Sequence, residues 1–155
     1  MKNGKTNTPR GFTLIGWHEC ISLPALGLHD FAVKVDTGAK TTALHAEQIE
    51  TFVREGAKWV RFRCPDVPGQ QVRMCEFPVH TKRAITNTSG KPETRIVIRT
   101  PMVLAGRRWS IDISLTDRGK MRFPLILGRR ALRRRNIAVD PGHSYLVSSK
   151  PQLEG

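Results

Sequence analysis

Val33-Lys34-Val35-Asp36-Thr37-Gly38-Ala39 reads as a short alternating strand that stops at a tight polar turn. Val33 and Val35 share one face, and the chain then presents a carboxylate, a short branched hydroxyl and a residue with no side chain. The Thr37 hydroxyl can bond neighbouring backbone, and its branched Cβ stiffens the turn. Gly38 removes the Cβ that would keep backbone from approaching a partner closely. Asp-Thr-Gly is also an ordinary turn sequence, so the reading needs support from the rest of the chain.

A carboxylate at a strand tip suits the activation of water by an aspartic peptidase. That chemistry takes two carboxylates sharing one proton, one acting as base towards water and the other as acid towards the scissile carbonyl. The chain holds one Asp-Thr-Gly and no Asp-Ser-Gly. The second Asp must then come from another copy across a two-fold axis. The expected active form is a homodimer with Asp36, Thr37 and Gly38 of each chain as the catalytic triplet. No metal and no covalent intermediate are required, and the expected cofactor set is empty. Positive charge around the pair would oppose holding the shared proton near neutral pH.

A chain of 155 residues is one domain. Residues 12–148 are expected to fold, between a disordered basic arm at 1–11 and a polar tail at 149–155. Ten Pro and thirteen Gly, scattered along the chain, favour many turns over long helices. The net charge of +13 predicts attraction to acidic partners, whether nucleic acid, acidic peptide or anionic surface. No secretory signal and no segment of membrane-spanning length is visible. Three cysteines without a Cys-x-x-Cys pair fit reduced thiols in the cytoplasm.

Along the chain, strands are expected at Phe12–Trp17, Phe31–Val35, Lys40–Ala46, Gln71–Val79 and Thr94–Arg99. Glu47–Phe52 could hold a helical turn, and Glu55-Gly56 before Lys58–Arg63 reads as a hairpin. Trp109–Leu115 alternates, with Trp109, Ile111, Ile113 and Leu115 on one face and Ser110, Asp112 and Ser114 on the other. Asp112 is therefore expected to be a solvent-side or structural carboxylate. Thr81–Glu93 is the most polar stretch; it reads either as a plain surface loop or as a β-hairpin flap over a cleft, with Ser89 and Gly90 at its tip touching substrate. Phe123–Gly128 is a continuous apolar run, as in a strand buried on both faces. Arg129–Arg135 is expected to be a short helix with Ala131 and Leu132 inward. Ile137–Asp140 and Ser144–Val147 read as two closing strands around Pro141-Gly142.

Two blocks at this separation resemble one architecture: Asp36-Thr37-Gly38-Ala39 and Leu125-Ile126-Leu127-Gly128-Arg129. Retropepsin-like aspartic peptidases pass an apolar-apolar-Gly strand behind the catalytic loop. The resemblance implies that Ala39, Leu127, Gly128 and Arg129 support the site, and that the fold is a mostly β closed barrel with one short C-terminal helix.

Gly16-Trp17-x-Glu19, Lys34–Ala46, Trp59–Phe62, Leu115–Arg118 and Arg122–Arg130 are similar, over about residues 12–147, to the bacterial and archaeal family labelled RimK-associated or ATP-dependent zinc protease. The likeness is greatest to its short cytoplasmic members. Their partner RimK is a ligase adding glutamates to the C-terminus of ribosomal protein S6, so the resemblance implies a peptidase acting on that glutamylated protein or its tail. Viral retropepsins carry acidic residues after this block; here Lys40, Thr41 and Thr42 stand there, so Arg129 must find another partner. Lys40 and Thr41 at the cleft edge suggest a site suited to acidic side chains.

The zinc and ATP of the family label find no motif. His18-x-Cys20 is the one close ligand spacing, without His-Glu-x-x-His or a phosphate-binding Gly-Lys-Ser/Thr loop. The Arg129–Arg135 run would be drawn to an acidic tail or to ribosomal RNA, but it lacks interleaved aromatics. Three readings follow: an aspartic peptidase on acidic substrates, a silent module binding the ribosome or a RimK-type ligase, and a metallopeptidase.

Overall fold

A computed structural model describes residues 11–86, 89–117, 119 and 122–151, apart from the Ile85 side chain. Most of the expected arm at 1–11, the tail residues 152–155, Asn87 and Thr88 of the expected flap, and Arg118 lie outside the described residues.

Six strands close a barrel. They are β2 (His18–Leu23), β3 (Leu28–Asp36), β4 (Thr42–His45), β9 (Pro92–Leu104), β10 (Arg107–Thr116) and β11 (Leu125–Gly128). Their order is β10-β4-β11-β3-β2-β9, and β9 pairs back onto β10 through the Ala105-Gly106 turn to complete the ring. Closure leaves these strands no free edge for another chain to extend. Flanking them are β1 (Thr13–Gly16) paired with β12 (Ile137–Asp140), a three-stranded sheet of β5 (Glu47–Arg54), β6 (Ala57–Arg63) and β7 (Met74–Pro78), and β8 (Thr81–Thr86) on the outer side of β9.

The alternating apolar residues read from the sequence fill the barrel. Val33, Ile98, Ile113, Leu125 and Leu127 are fully buried, with Phe31, Val35 and Ile111 nearly so. Each such side chain contributes about 1.5–3 kcal/mol on leaving water.

Several expectations change. Glu47–Phe52 is strand, because it pairs with β6 across a turn whose residues Glu55 and Gly56 both take positive φ, the geometry of a tight hairpin. Ser114 is buried, since this end of β10 pairs on both edges, antiparallel with β9 at Val97 and parallel with β4 at Ala43. Its hydroxyl donates to the Thr42 carbonyl at 3.1 Å. The short C-terminal helix is a single 3-10 turn, Arg129–Ala131, with Ala131 and Leu132 buried as expected.

Ser144–Val147 is not a strand. It is a strap held by Glu19, a fully buried carboxylate on β2. Glu19 accepts the N–H of Gly16 and of Leu146, both at 2.7 Å, the Val147 N–H at 3.3 Å and the Ser148 hydroxyl at 2.6 Å. Four donors satisfy the charge that burial would otherwise penalise. Gly16 is required beneath this strap, because a Cβ there would lie 2.5 Å from the His143 carbonyl oxygen.

The three cysteines are unbridged, but Cys64 and Cys75 place their buried sulfurs 3.0 Å apart. Its hydrogen bond to Cys75, and then burial, push the Cys64 thiol up.

Candidate active site

The loop carrying Asp36 is built by an insertion. β3 and β4, the two strands it joins, do not pair with each other; β11 lies between them, parallel to β3 and antiparallel to β4. The register places Gly128 beside Asp36 and Leu127 beside Val35. Strand β11 then leaves the barrel directly under the loop.

That exit demands glycine. A Cβ on Gly128 would lie 2.6 Å from both the carbonyl carbon and oxygen of Thr41. The close approach lets the two segments clip together. The N–H groups of Arg129 and Arg130 donate to the Ala39 and Lys40 carbonyls at 2.9 and 3.3 Å, and the Gly128 N–H donates to the Thr42 hydroxyl at 3.0 Å. The partner that Arg129 lacked in the sequence is the loop itself: its guanidinium donates to the Gly38 carbonyl at 3.1 Å and reaches that of Thr37 at 3.5 Å. The carbonyls from residue 37 to residue 40 thus all face donors from 129 and 130, which fixes the loop backbone.

The Asp36 carboxylate is left half-buried at the rim, with one oxygen accepting the Gly38 N–H at 3.0 Å. Gly38 serves that carboxylate rather than a close backbone approach within the chain. A Cβ there would meet only Asp36 Oδ1, at 3.2 Å. Thr37 and Gly38 are exposed, and the Thr37 hydroxyl bonds no described residue. Lys40 is exposed on the same loop, and Thr41 turns towards a neighbouring cleft.

Asp36, Thr37, Gly38, Ala39, Lys40, Thr41, Gly128 and Arg129 therefore form one cluster, with Leu127 buried below it. Ser89 and Gly90 belong to a different element, exposed at the turn of a β8–β9 hairpin, with Gly90 at φ +83°. Asp112 is structural, as expected. Its oxygens face Arg99 at 2.8 Å, Arg83 at 3.4 Å and His80 at 3.8 Å. Burial raises its pKa, but these cations outweigh burial and hold it below the ordinary carboxylate range.

Sequence reasoning passed over Thr42, whose buried hydroxyl and carbonyl tie β11 and β10 together under the loop. Its position directly after the loop, in a β-rich stretch, was the available signal. Among the described residues one group can hold a metal ion: His45, Glu47 and Asp117, at the end of β4 away from the loop. Glu47 there already accepts from Arg63 at 3.2 Å, and no sequence spacing had singled out the trio.

A closed barrel with one Asp-Thr-Gly loop, held from behind by an apolar-Gly strand, is the architecture of the retropepsin-like class. The chain belongs to the RimB-like family, described as the retropepsin-like aspartic endopeptidase RimB, whose family model matches residues 14–150.

Relatives include a probable alpha-L-glutamate ligase of Desulfotalea psychrophila, 43% identical over 130 residues, covering 83% of this chain and 28% of that protein. A protein of the same description from Parasynechococcus marenigrum is 40% identical over 145 residues, covering 91% and 31%. The chain thus spans under a third of the length of these curated relatives. A crystal structure of a Legionella pneumophila protein of unknown function superposes with a TM-score of 0.75 at 29% identity, covering 88% of this chain and 98% of that one. No helix among the described residues is long and apolar enough to cross a membrane.

Proposed function

We propose that two copies of this chain form an aspartic peptidase that hydrolyses acidic, glutamate-rich polypeptide, such as the glutamate-extended tail of ribosomal protein S6. The observation that carries the reading is the Asp36 carboxylate, presented at the rim on a loop whose backbone carbonyls are engaged by Arg129 and Arg130. A loop fixed in this way holds a reacting group in place before substrate arrives, which is the basis of electrostatic preorganisation. One such loop per chain makes a two-fold dimer the complete site, with the exposed Thr37 and Gly38 at the contact.

In the dimer the two Asp36 side chains share one proton and hold a water between them. The ionised carboxylate takes a proton from the water as its oxygen attacks the peptide carbonyl carbon. The protonated carboxyl gives its proton to the carbonyl oxygen, forming a tetrahedral diol. The diol collapses with transfer of a proton to the leaving nitrogen, which breaks the C–N bond. The β8–β9 hairpin, with Ser89 and Gly90 at its turn, acts in this reading as the flap that closes over substrate, and Lys40 and Thr41 contact acidic side chains at the cleft edge.

The relatives favour a second reading. They carry the matched segment inside proteins named probable alpha-L-glutamate ligase, and in this second reading the module serves as a silent adaptor for a RimK-type ligase or the ribosome. Mass spectrometry of a glutamate-tailed protein incubated with wild-type chain and with Asp36→Asn separates the two. Loss of tail mass with the wild type alone is expected. Equal loss with both would move the catalyst elsewhere, and loss with neither would favour the adaptor.

A further inference from the structure

Thr41 opens onto a cleft of about 500 Å³ whose walls carry six arginines and one carboxylate. That volume falls in the range of about 300–1,000 Å³ typical of ligand sites, and takes a short segment of chain rather than a folded surface. Arg83 and Arg99 come from the β8–β9 hairpin, while Arg130, Arg133, Arg134 and Arg135 come from the turns after β11. These two groups are far apart in sequence and meet only because the barrel closes.

The charge is uncompensated. The one lining carboxylate, Asp112, is already engaged by Arg83, Arg99 and His80. Among the described residues no carboxylate lies within 4.0 Å of Arg130, Arg133, Arg134 or Arg135.

The backbone is bent to achieve this. A regular helix would turn Arg133, Arg134 and Arg135 to different faces, about 100° apart at 3.6 residues per turn. Here the helix stops at Ala131, and Arg134 and Asn136 adopt left-handed φ values of 65° and 57°. All three arginines then line one cleft. Left-handed backbone at a non-glycine residue is uncommon and persists where surrounding structure imposes it.

We infer that this arginine-lined cleft beside the Asp36 loop is a binding subsite for a run of glutamate side chains in an extended acidic polypeptide, gripped away from the scissile bond. The inference rests on the acidic-substrate reading above and assigns its recognition to these residues. Guanidinium forks match carboxylates geometrically and keep their charge at any physiological pH. Polypeptide is favoured over RNA because the cleft offers no exposed ring for base stacking. Its one aromatic, Trp109, is buried, donates to the Ala131 carbonyl at 2.9 Å, and lies about 5.2 Å from the Arg107 and Arg135 guanidinia.

The test is fluorescence anisotropy of a labelled oligoglutamate peptide with the 155-residue Asp36→Asn chain, which binds without cleaving. Competition is with unlabelled single-stranded RNA of equal charge. Salt-sensitive binding is expected, weakened at least tenfold by Arg133→Glu with Arg134→Glu at an unchanged melting temperature. If that pair unfolds, Arg133→Gln with Arg134→Gln removes the charge without new repulsion and gives the same reading. Affinity unchanged by both pairs overturns the inference. Tighter binding of RNA through the same arginines would overturn it too, and make the cleft a nucleic-acid site. Arginine-dependent peptide binding without hydrolysis by the wild type would keep the subsite and remove the peptidase. Asp36-dependent hydrolysis with arginine-independent binding would do the reverse.

Discussion

Replacing Gly128 with alanine puts a methyl group into the backbone of the segment behind Asp36. The new carbon would sit 2.6 Å from the Thr41 carbonyl carbon and oxygen and 3.0 Å from its nitrogen. All three atoms are main chain, so no side-chain rotation relieves the overlap. Either β11 moves out from between β3 and β4, or residues 39–42 lift off it. Overpacking of this kind costs about 1–3 kcal/mol. Displacing the Gly128 N–H from the buried Thr42 hydroxyl adds roughly 1 kcal/mol.

The expected loss is about 2–4 kcal/mol, from a total stability on the order of 5–15 kcal/mol. For a domain of this size that lowers the melting temperature by roughly 5–15 °C. Urea unfolding at fixed protein concentration measures it, because dimerisation would otherwise enter the comparison. Gly38→Ala is the control, since its Cβ meets only a carboxylate oxygen at 3.2 Å. It should cost less than about 1 kcal/mol in stability while displacing Asp36 and reducing hydrolysis. A Gly128→Ala chain within about 0.5 kcal/mol of wild type, the usual scale of a neutral surface change, would refute the account of the loop.

Glu19→Gln places amide hydrogens against backbone donors that now point at a carboxylate. It should cost about 2–4 kcal/mol and expose residues 143–149 to proteolysis, read by unfolding and limited digestion; an equally stable, equally resistant variant would show the strap is held otherwise. His18 lies against Trp17 and Phe123, with ring centroids at 3.7 and 4.7 Å. Burial, then the charges of Arg122 and Lys34, lower its pKa from 6.5. The folded state therefore favours the neutral ring, so its contribution is complete above 6.5 and declines as pH falls through the lower folded value. Proton NMR should show His18 titrating below 6.5, and a midpoint at or above that value would contradict this packing.

Local pattern carried a large part of this protein. Alternation in Trp109–Leu115 named the buried face of β10 through Ile113, and the apolar run at 125–127 named a strand paired on both edges, although Ile126 on its outer face is only half-buried. Asp36-Thr37-Gly38 and Leu127-Gly128-Arg129 were legible as one cluster through their joint resemblance to the retropepsin-like pair of blocks, since Asp-Thr-Gly by itself is an ordinary turn sequence. Period-two patterning says which face a residue shows, never which strand lies opposite. Tertiary structure alone decided that β11 splits β3 from β4, that Arg129 caps the loop carbonyls, and that Glu19 binds residues 146–148 where a strand had been expected. The same holds for the arginine cleft: Arg129–Arg135 reads as a helix by composition, but packing of Ala131 and Leu132 ends it after one turn and brings its charges to Arg83 and Arg99. Contacts between distant segments depend on register and closure of the whole sheet, and no local stretch of sequence encodes either.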